Sequence, residues 1–174
     1  DKQINCKVCI TAQHREMLDQ VLNLFDITPD YDLDLMTKEQ SLFSISSSIL
    51  INLENILEDF NPNVVLVHGD TATTFASSLA AYYKKIDVGH IEAGLRTGNI
   101  YSPWPEEANR KLTSVITNFH FAPTPGSKEN LLNEGVSKDD ITVTGNTVID
   151  ALFWVRERLK QDKSLSRALS STFD

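Results

Sequence analysis

The hydrophobic positions of this chain follow two patterns, one typical of buried strands and the other of amphipathic helices. Residues 64–67 form an apolar run without alternation, as expected of a strand that is covered on both faces. Residues 41–60 instead place apolar side chains at helical spacing. Strands are predicted at 5–11, 31–35, 64–67, 87–91, 120–123 and 141–144. Helices are predicted at 13–25, 41–60, 73–83, 105–117, 128–134 and 148–160.

The order of these elements indicates the fold class. Strands and helices alternate along the chain, joined by short connections rich in Gly, Pro and Asn. This alternation predicts a parallel sheet with helices on both faces, which is a doubly wound, Rossmann-like α/β domain. The length of 174 residues suits one domain. Because the sequence lacks an initial Met and enters a strand-like run almost at once, we expect a fragment of a longer protein.

Composition and charge argue against several classes of protein. The net charge of −8 argues against nucleic-acid binding, which requires a basic excess. No segment approaches the length of an apolar membrane helix, and the first residues lack the layout of a signal peptide, so we expect a cytoplasmic protein. Cys6 and Cys9 form a C-x-x-C without the second pair of a zinc site, so we predict two small buried side chains and no metal site.

Two predicted strands are followed by carboxylates. VVLVHGDTATT carries Asp70 just after the strand at 64–67, and VGHIEAG carries Glu92 just after the strand at 87–91. The carboxyl ends of parallel strands meet at one edge of a sheet, where ligands bind. Two carboxylates in a partly desolvated cleft raise each other's proton affinity, which suits proton transfer. Asp70 could equally be the cap of the following helix, whereas glutamate is a poor cap.

A third candidate element is the segment YSPWPEEANR, residues 101–110. Its two prolines stiffen the approach to a helix whose first turn carries Glu106 and Glu107. These acids either face the cleft or only complement the helix dipole. Arg110 lies one turn later, and it either binds a phosphate or pairs with a glutamate of its own helix.

Weaker candidates lie in two further turns. Gln13 and His14 follow the first predicted strand and fall on the same edge of the sheet, although a lone His at a helix start is most often a surface residue. Arg96 lies in a polar turn after Glu92 and is a weaker candidate than Arg110 for binding phosphate.

Five stretches, in this order, resemble one known family. They are TAQHREML, VLVHGDTATT, VGHIEAGLRTG, YSPWPEEANR and VTGNTVIDAL. Together they resemble the non-hydrolysing UDP-N-acetylglucosamine 2-epimerases of bacteria, over nearly the whole chain. HIEAGLRTG followed by SPWPEE-x-NR is the most specific part, whereas the TGN turn alone would be weak.

The resemblance implies a glycosyltransferase-B-like architecture, in which two Rossmann-like domains enclose a nucleotide sugar. The implied reaction is reversible inversion at C2 of UDP-N-acetylglucosamine, by elimination and re-addition of UDP, giving UDP-N-acetylmannosamine for surface polysaccharides. No metal, redox cofactor, nucleic acid or membrane insertion is implied, and family members are usually homodimers. Residues 1–174 would form an N-terminal domain without its first strand–helix unit and without the second domain, so we expect the isolated chain to be inactive.

The same resemblance implies roles for individual residues. The family's catalytic carboxylates fall on Asp70, Glu92 and Glu106. Substrate contacts fall on the first two of these and on Arg110. Which carboxylate removes the C2 proton stays open. Two residues match the stretch that lines a second, regulatory nucleotide-sugar site in bacterial members: Gln13 and His14.

Three rival interpretations remain. A hydrolysing UDP-N-acetylglucosamine 2-epimerase shares the fold and much of the carboxylate pattern, but it releases UDP and free N-acetylmannosamine. A glycosyltransferase of the same architecture needs an acceptor for turnover. A catalytically dead module would only bind a nucleotide sugar, although a pure binder has little use for three acids that face an anionic ligand.

Overall fold

A computed structural model describes residues 4–12, 15–35 and 40–163 of the chain. Within these ranges strands and α-helices alternate, as the sequence predicts. The strands are β1 (Cys9–Ile10), β2 (Tyr31–Asp32), β3 (Val64–His68), β4 (Asp87–Ile91), β5 (Phe119–Ala122) and β6 (Ile141–Val143). The helices are α1 (Arg15–Leu24), α2 (Leu42–Phe60), α3 (Ala72–Tyr83), α4 (Glu106–Val115), α5 (Pro125–Asn133) and α6 (Thr147–Gln161), with a short 3-10 helix at Lys138–Asp140.

All strand pairs in the described residues are parallel. Strands β3, β4, β5 and β6 form one sheet in that order, with Leu66 opposite Gly89 and Gly89 opposite Phe119. Strands β1 and β2 form a separate two-stranded sheet. The sequence predicts a single sheet, and the difference arises because no described strand hydrogen-bonds to both β1 and β3.

The main core lies between α2 and α3. Helix α2 buries a stripe of aliphatic side chains at helical spacing, and α3 meets it with small residues that allow the two helices to approach closely. The buried members are Ile45, Ile49, Leu53, Leu57, Ala72, Ala76 and Ala80. On its other side α3 packs on the sheet, where Ala81 contacts Val67 and Val88. This packing fixes the start of α3 at the carboxyl edge of β3.

Side-chain caps set several helix boundaries. Ser41 caps α2 by accepting the N–H of Ser44 at 3.1 Å. Thr124 caps α5 by accepting the N–H of Ser127 at 3.0 Å, which is why this helix begins earlier than the predicted 128–134. Pro105 precedes α4 as its cap residue and makes no side-chain cap bond.

The predicted burial of the two cysteines is wrong. Cys6 and Cys9 are both exposed free thiols, because the N-terminal strand is only two residues long and packs little of its surface. Partial desolvation of the Cys9 sulfur, together with the carboxylate of Asp32, raises its pKa to about 11. Cys9 is therefore a poor source of the reactive thiolate.

In the described residues, none of the helices combines the length and the apolar content that crossing a membrane would take.

Candidate active site

The candidate site lies at the carboxyl ends of β3 and β4. Just after β3 the chain turns at Gly69, which has a φ of +75°. The N–H of Gly69 donates to the carbonyl of Ile91 at 3.1 Å, and its carbonyl accepts from Nε2 of the buried His90 at 2.7 Å. These two bonds join the ends of the adjacent strands, so the residues that follow them are held side by side.

Asp70 follows this turn, and its side chain does not cap α3. Thr71 is the cap residue, since its hydroxyl accepts the N–H of Thr74 at 3.4 Å. The Asp70 carboxylate instead accepts two hydrogen bonds from Arg110 at its Oδ2, from Nε at 2.9 Å and from Nη2 at 2.6 Å. The side chain keeps 25% of its surface exposed. It is therefore fixed in orientation and still open to a ligand.

Helix α4 holds Asp70 through two side chains, and a third side chain holds one of these two. Arg110 binds the carboxylate, and Nδ2 of Asn109 donates to the Asp70 carbonyl at 2.9 Å. Nη1 of Arg110 also donates to Oε2 of Glu107 at 3.1 Å, which is the intrahelical ion pair that the spacing allowed. The other carboxylate oxygen of Glu107 accepts the N–H groups of Thr97 at 3.1 Å and Gly98 at 3.2 Å.

This arrangement keeps both partners of the ion pair charged. Burial by itself raises the pKa of Glu107. The guanidinium of Arg110 and the two backbone N–H groups outweigh that effect, so the pKa of Glu107 lies below its usual range. Burial likewise lowers the pKa of Arg110, and the carboxylates of Glu107 and Asp70 more than compensate, so its pKa is raised. Glu107 has no exposed surface, so its charge depends on these contacts.

Glu92 lies directly after β4 with a φ of +70°, a left-handed backbone conformation that is uncommon for glutamate. Its Oε2 is 4.0 Å from Nε2 of His68, and a Cβ added to Gly69 would lie 3.7 Å from the same oxygen. The carboxylate thus sits beside the turn that carries Asp70. It also lines a shallow cleft with Pro123 and residues 145–147. Strain at a cleft residue is a feature of many functional sites.

The other predicted residues are less well connected. Glu106 is half-buried in the first turn of α4 and forms no hydrogen bond or ion pair with the described part of the chain. Gln13 and His14 lie outside the described residues. Arg96 is not available for a phosphate, because its guanidinium binds both carboxylate oxygens of Glu134, at 2.9 and 2.7 Å, with 7% of its side chain exposed.

Two features of α4 were not predicted from the sequence. Asn109 holds the backbone of Asp70, and Glu107 proves to be buried rather than facing the cleft. An asparagine inside a helix is a weak signal for the first, since this residue disfavours helix interiors. No pattern in the sequence distinguishes the burial of Glu107 from that of Glu106. As for metals, the described ranges contain no group of three or more His, Cys, Asp or Glu side chains arranged to hold one.

Burial of His90 predicts a pH dependence of stability. Desolvation lowers the pKa of His90 to about 4 in the folded protein, against an ordinary value of 6.5. Below about pH 6.5 the unfolded chain therefore binds a proton at His90 that the folded chain does not. The contribution of the neutral His90 to the free energy of unfolding is thus fully present above that pH and is lost as the pH drops towards 4. We expect His90 to lower the free energy of unfolding by about 2 kcal/mol between about pH 6.5 and 4.5.

The measurement is urea unfolding of the complete protein and of its His90→Gln variant across this pH range. Glutamine retains an N–H donor for the carbonyl of Gly69 but does not titrate. The variant should show a shallower pH dependence than the parent protein by that amount. Equal slopes for the two proteins would contradict a neutral, buried His90.

The sequence is similar to one known family over almost its whole length. A family model described as UDP-N-acetylglucosamine 2-epimerase matches residues 1–173. A probable UDP-N-acetylglucosamine 2-epimerase of Ralstonia nicotianae is 63% identical over 171 residues, covering 98% of this chain and 46% of the relative. The UDP-N-acetylglucosamine 2-epimerase of Neisseria meningitidis is 66% identical over 157 residues, covering 90% of this chain and 42% of the relative. The chain thus spans about half the length of the relatives it matches.

Solved structures of similar chains share the fold. The Neisseria meningitidis UDP-GlcNAc 2-epimerase bound to UDP-GlcNAc matches with a TM-score of 0.91 at 62% identity, over 96% of this chain and 45% of that chain. A Methanocaldococcus jannaschii UDP-GlcNAc 2-epimerase in complex with UDP-GlcNAc and UDP matches with a TM-score of 0.87 at 34% identity, over 98% of this chain and 47% of that chain. These matches confirm the predicted α/β fold of the glycosyltransferase-B-like kind over the shared length.

Proposed function

Because the chain belongs to the UDP-N-acetylglucosamine 2-epimerase family, we propose that the complete protein interconverts UDP-N-acetylglucosamine and UDP-N-acetylmannosamine without net hydrolysis. One observation carries the proposal in this chain. Asp70, fixed by Arg110, and Glu92, held at a φ of +70°, follow adjacent parallel strands whose ends are hydrogen-bonded together. Such an edge is where α/β sheets bind ligands.

The proposed reaction is an elimination followed by an addition. A base removes the proton from C2, the C–H electron pair forms a double bond between C1 and C2, and the C1–O bond breaks so that UDP leaves. UDP then adds back to C1 while a proton is delivered to the opposite face of C2. Two proton-handling groups are therefore needed, and Asp70, Glu92 and Glu106 are the proposed set. We leave the base among them unassigned.

Arg110 has a second proposed role. Three of its N–H···O bonds go to Asp70 and Glu107, and the remaining N–H groups of the guanidinium, which have no acceptor among the described residues, are proposed to bind an oxygen of the substrate. With 15% of its side chain exposed, Arg110 reaches the surface of the site. We propose that it contacts the substrate beside Asp70, through a charge-assisted hydrogen bond to an oxygen of the nucleotide sugar.

The remaining features are proposals of the same kind. In the proposed complete protein, this chain is an N-terminal Rossmann-like domain, and a strand–helix unit before it and a second domain after it complete the cleft. Gln13 and His14 are the proposed regulatory nucleotide-sugar contacts. A homodimer, a cytoplasmic location and a role in surface polysaccharide synthesis stay predictions from the family resemblance and the sequence.

The test is incubation of the complete protein with UDP-N-acetylglucosamine in D₂O, followed by NMR at C2 of the sugar. We expect deuterium at C2 in a mixture of both UDP-sugars, because each proton removed is replaced from solvent. Free N-acetylmannosamine with an equal amount of UDP would identify the hydrolysing enzyme instead. Binding of the nucleotide sugar without exchange by a folded protein would favour the binding module or a transferase. Residues 1–174 alone should give no turnover.

A further inference from the structure

One buried carboxylate next to the candidate site has no part in the proposed reaction. Glu107 lies in the first turn of α4, one residue after Glu106, and no part of it is exposed to solvent. Glutamate is seldom fully buried unless it is paired. Glu107 is paired twice, with the guanidinium of Arg110 through one oxygen and with the backbone of residues 97–98 through the other.

We infer that Glu107 is a positioning residue that acts through Arg110, by holding the guanidinium in the orientation that presents it to Asp70. The inference rests on the proposed function, in which Asp70 and Arg110 meet the substrate. Glu107 itself is buried and does not touch the reacting atoms.

The geometry of the guanidinium supports this role. Asp70 binds the edge formed by Nε and Nη2, and Glu107 binds Nη1 on the other branch. Two carboxylates at different positions of a planar group fix both the position and the rotation of its plane, whereas one would leave the long side chain free to swing. Glu107 is three residues before Arg110 on the same helix, so this second contact is set by the rigid helix backbone.

A glutamine at position 107 separates the two contacts of the carboxylate. Its side-chain oxygen can still accept the N–H groups of Thr97 and Gly98. The amide NH₂ then faces Nη1 of Arg110, so that a donor meets a donor and the ion pair is lost. Glu107→Gln is therefore expected to release Arg110 while the turn at 97–98 stays in place.

The experiment is a double-mutant cycle on kcat in the complete protein, with Glu107→Gln, Arg110→Ala and the two combined. We expect Glu107→Gln to lower kcat by about 10²-fold, the size of effect that misplacing a reacting group can have. If Glu107 acts through Arg110, adding Glu107→Gln to Arg110→Ala should change kcat by less than about 3-fold. The inference would be overturned if the two effects on kcat multiply in the double variant. It would also be overturned if the kcat of Glu107→Gln lies within about 3-fold of the parent value.

Glu134→Gln is the matched control for a merely structural effect. It also removes a carboxylate that pairs with a poorly exposed arginine, Arg96, but it has no contact with Arg110 or Asp70. Its kcat should stay within about 3-fold of the parent value even if its unfolding midpoint falls as far as that of Glu107→Gln. Failure of the proposed function would be seen separately, because the parent protein would then show no deuterium exchange at C2. That result would also exclude the role of Glu107 in this reaction.

Discussion

Replacing Glu92 with glutamine in the complete protein is expected to lower kcat for C2 epimerisation by about 10³-fold, within the range that general acid–base catalysis contributes. Glutamine has nearly the same shape as glutamate but cannot accept or release the proton. The carboxylate of Glu92 lies at the cleft beside the Gly69 turn, 4.0 Å from Nε2 of His68. The affinity for UDP-N-acetylglucosamine should change by less than about 3-fold, since only the proton-handling group is removed.

The measurement combines initial rates from NMR with calorimetric titration of the nucleotide sugar. Glu58→Gln is a suitable control, because Glu58 is an exposed glutamate that pairs with Lys84 at the surface and should leave kcat unchanged. A Glu92→Gln protein that keeps more than about a tenth of the parent rate would exclude Glu92 as an essential acid or base.

The second large effect is on folding. Gly94→Ala is expected to lower the free energy of unfolding by about 4 kcal/mol or to prevent folding, which places it among the most severe single substitutions. A Cβ at this position would lie 2.2 Å from the backbone oxygen of Ser127 and 2.8 Å from its carbonyl carbon. Because these are backbone atoms of α5, the clash can be relieved only by moving the helix or the turn that carries Gly94, and not by a side-chain rotation. The φ of +87° adds the strain of a left-handed alanine.

Gly135→Ala separates these two contributions. Gly135 has nearly the same φ, +89°, but an added Cβ would have no non-adjacent atom of the described residues within 4 Å. It should therefore show only the backbone strain, about 1 to 2 kcal/mol. The measurement is urea unfolding of the parent protein and both variants by circular dichroism. Equal losses for the two substitutions would show that the contact with Ser127 is relieved at little cost.

The local pattern of the sequence determined the elements and their order. Hydrophobic period and the Gly, Pro and Asn connections predicted the six α-helices and the four strands of the larger sheet to within a few residues, because they report burial and backbone periodicity over short stretches. The short 3-10 helix Lys138–Asp140 was not predicted. The same reasoning placed Asp70 and Glu92 at the ends of neighbouring strands. It failed at the N-terminal strand, where Cys6 and Cys9 are exposed, since burial there depends on neighbours that lie far away in sequence.

The tertiary structure alone decided which side chains meet. Asp70 is separated from Arg110 by 40 residues, and the sequence left open whether that arginine would bind a phosphate or its own helix. The position of α4 against the edge of the sheet brings Arg110 to Asp70 and buries Glu107, while Glu106, its neighbour in the same turn, remains half-exposed. Such choices depend on how distant elements pack against each other, whereas a linear pattern records only the period of each element by itself.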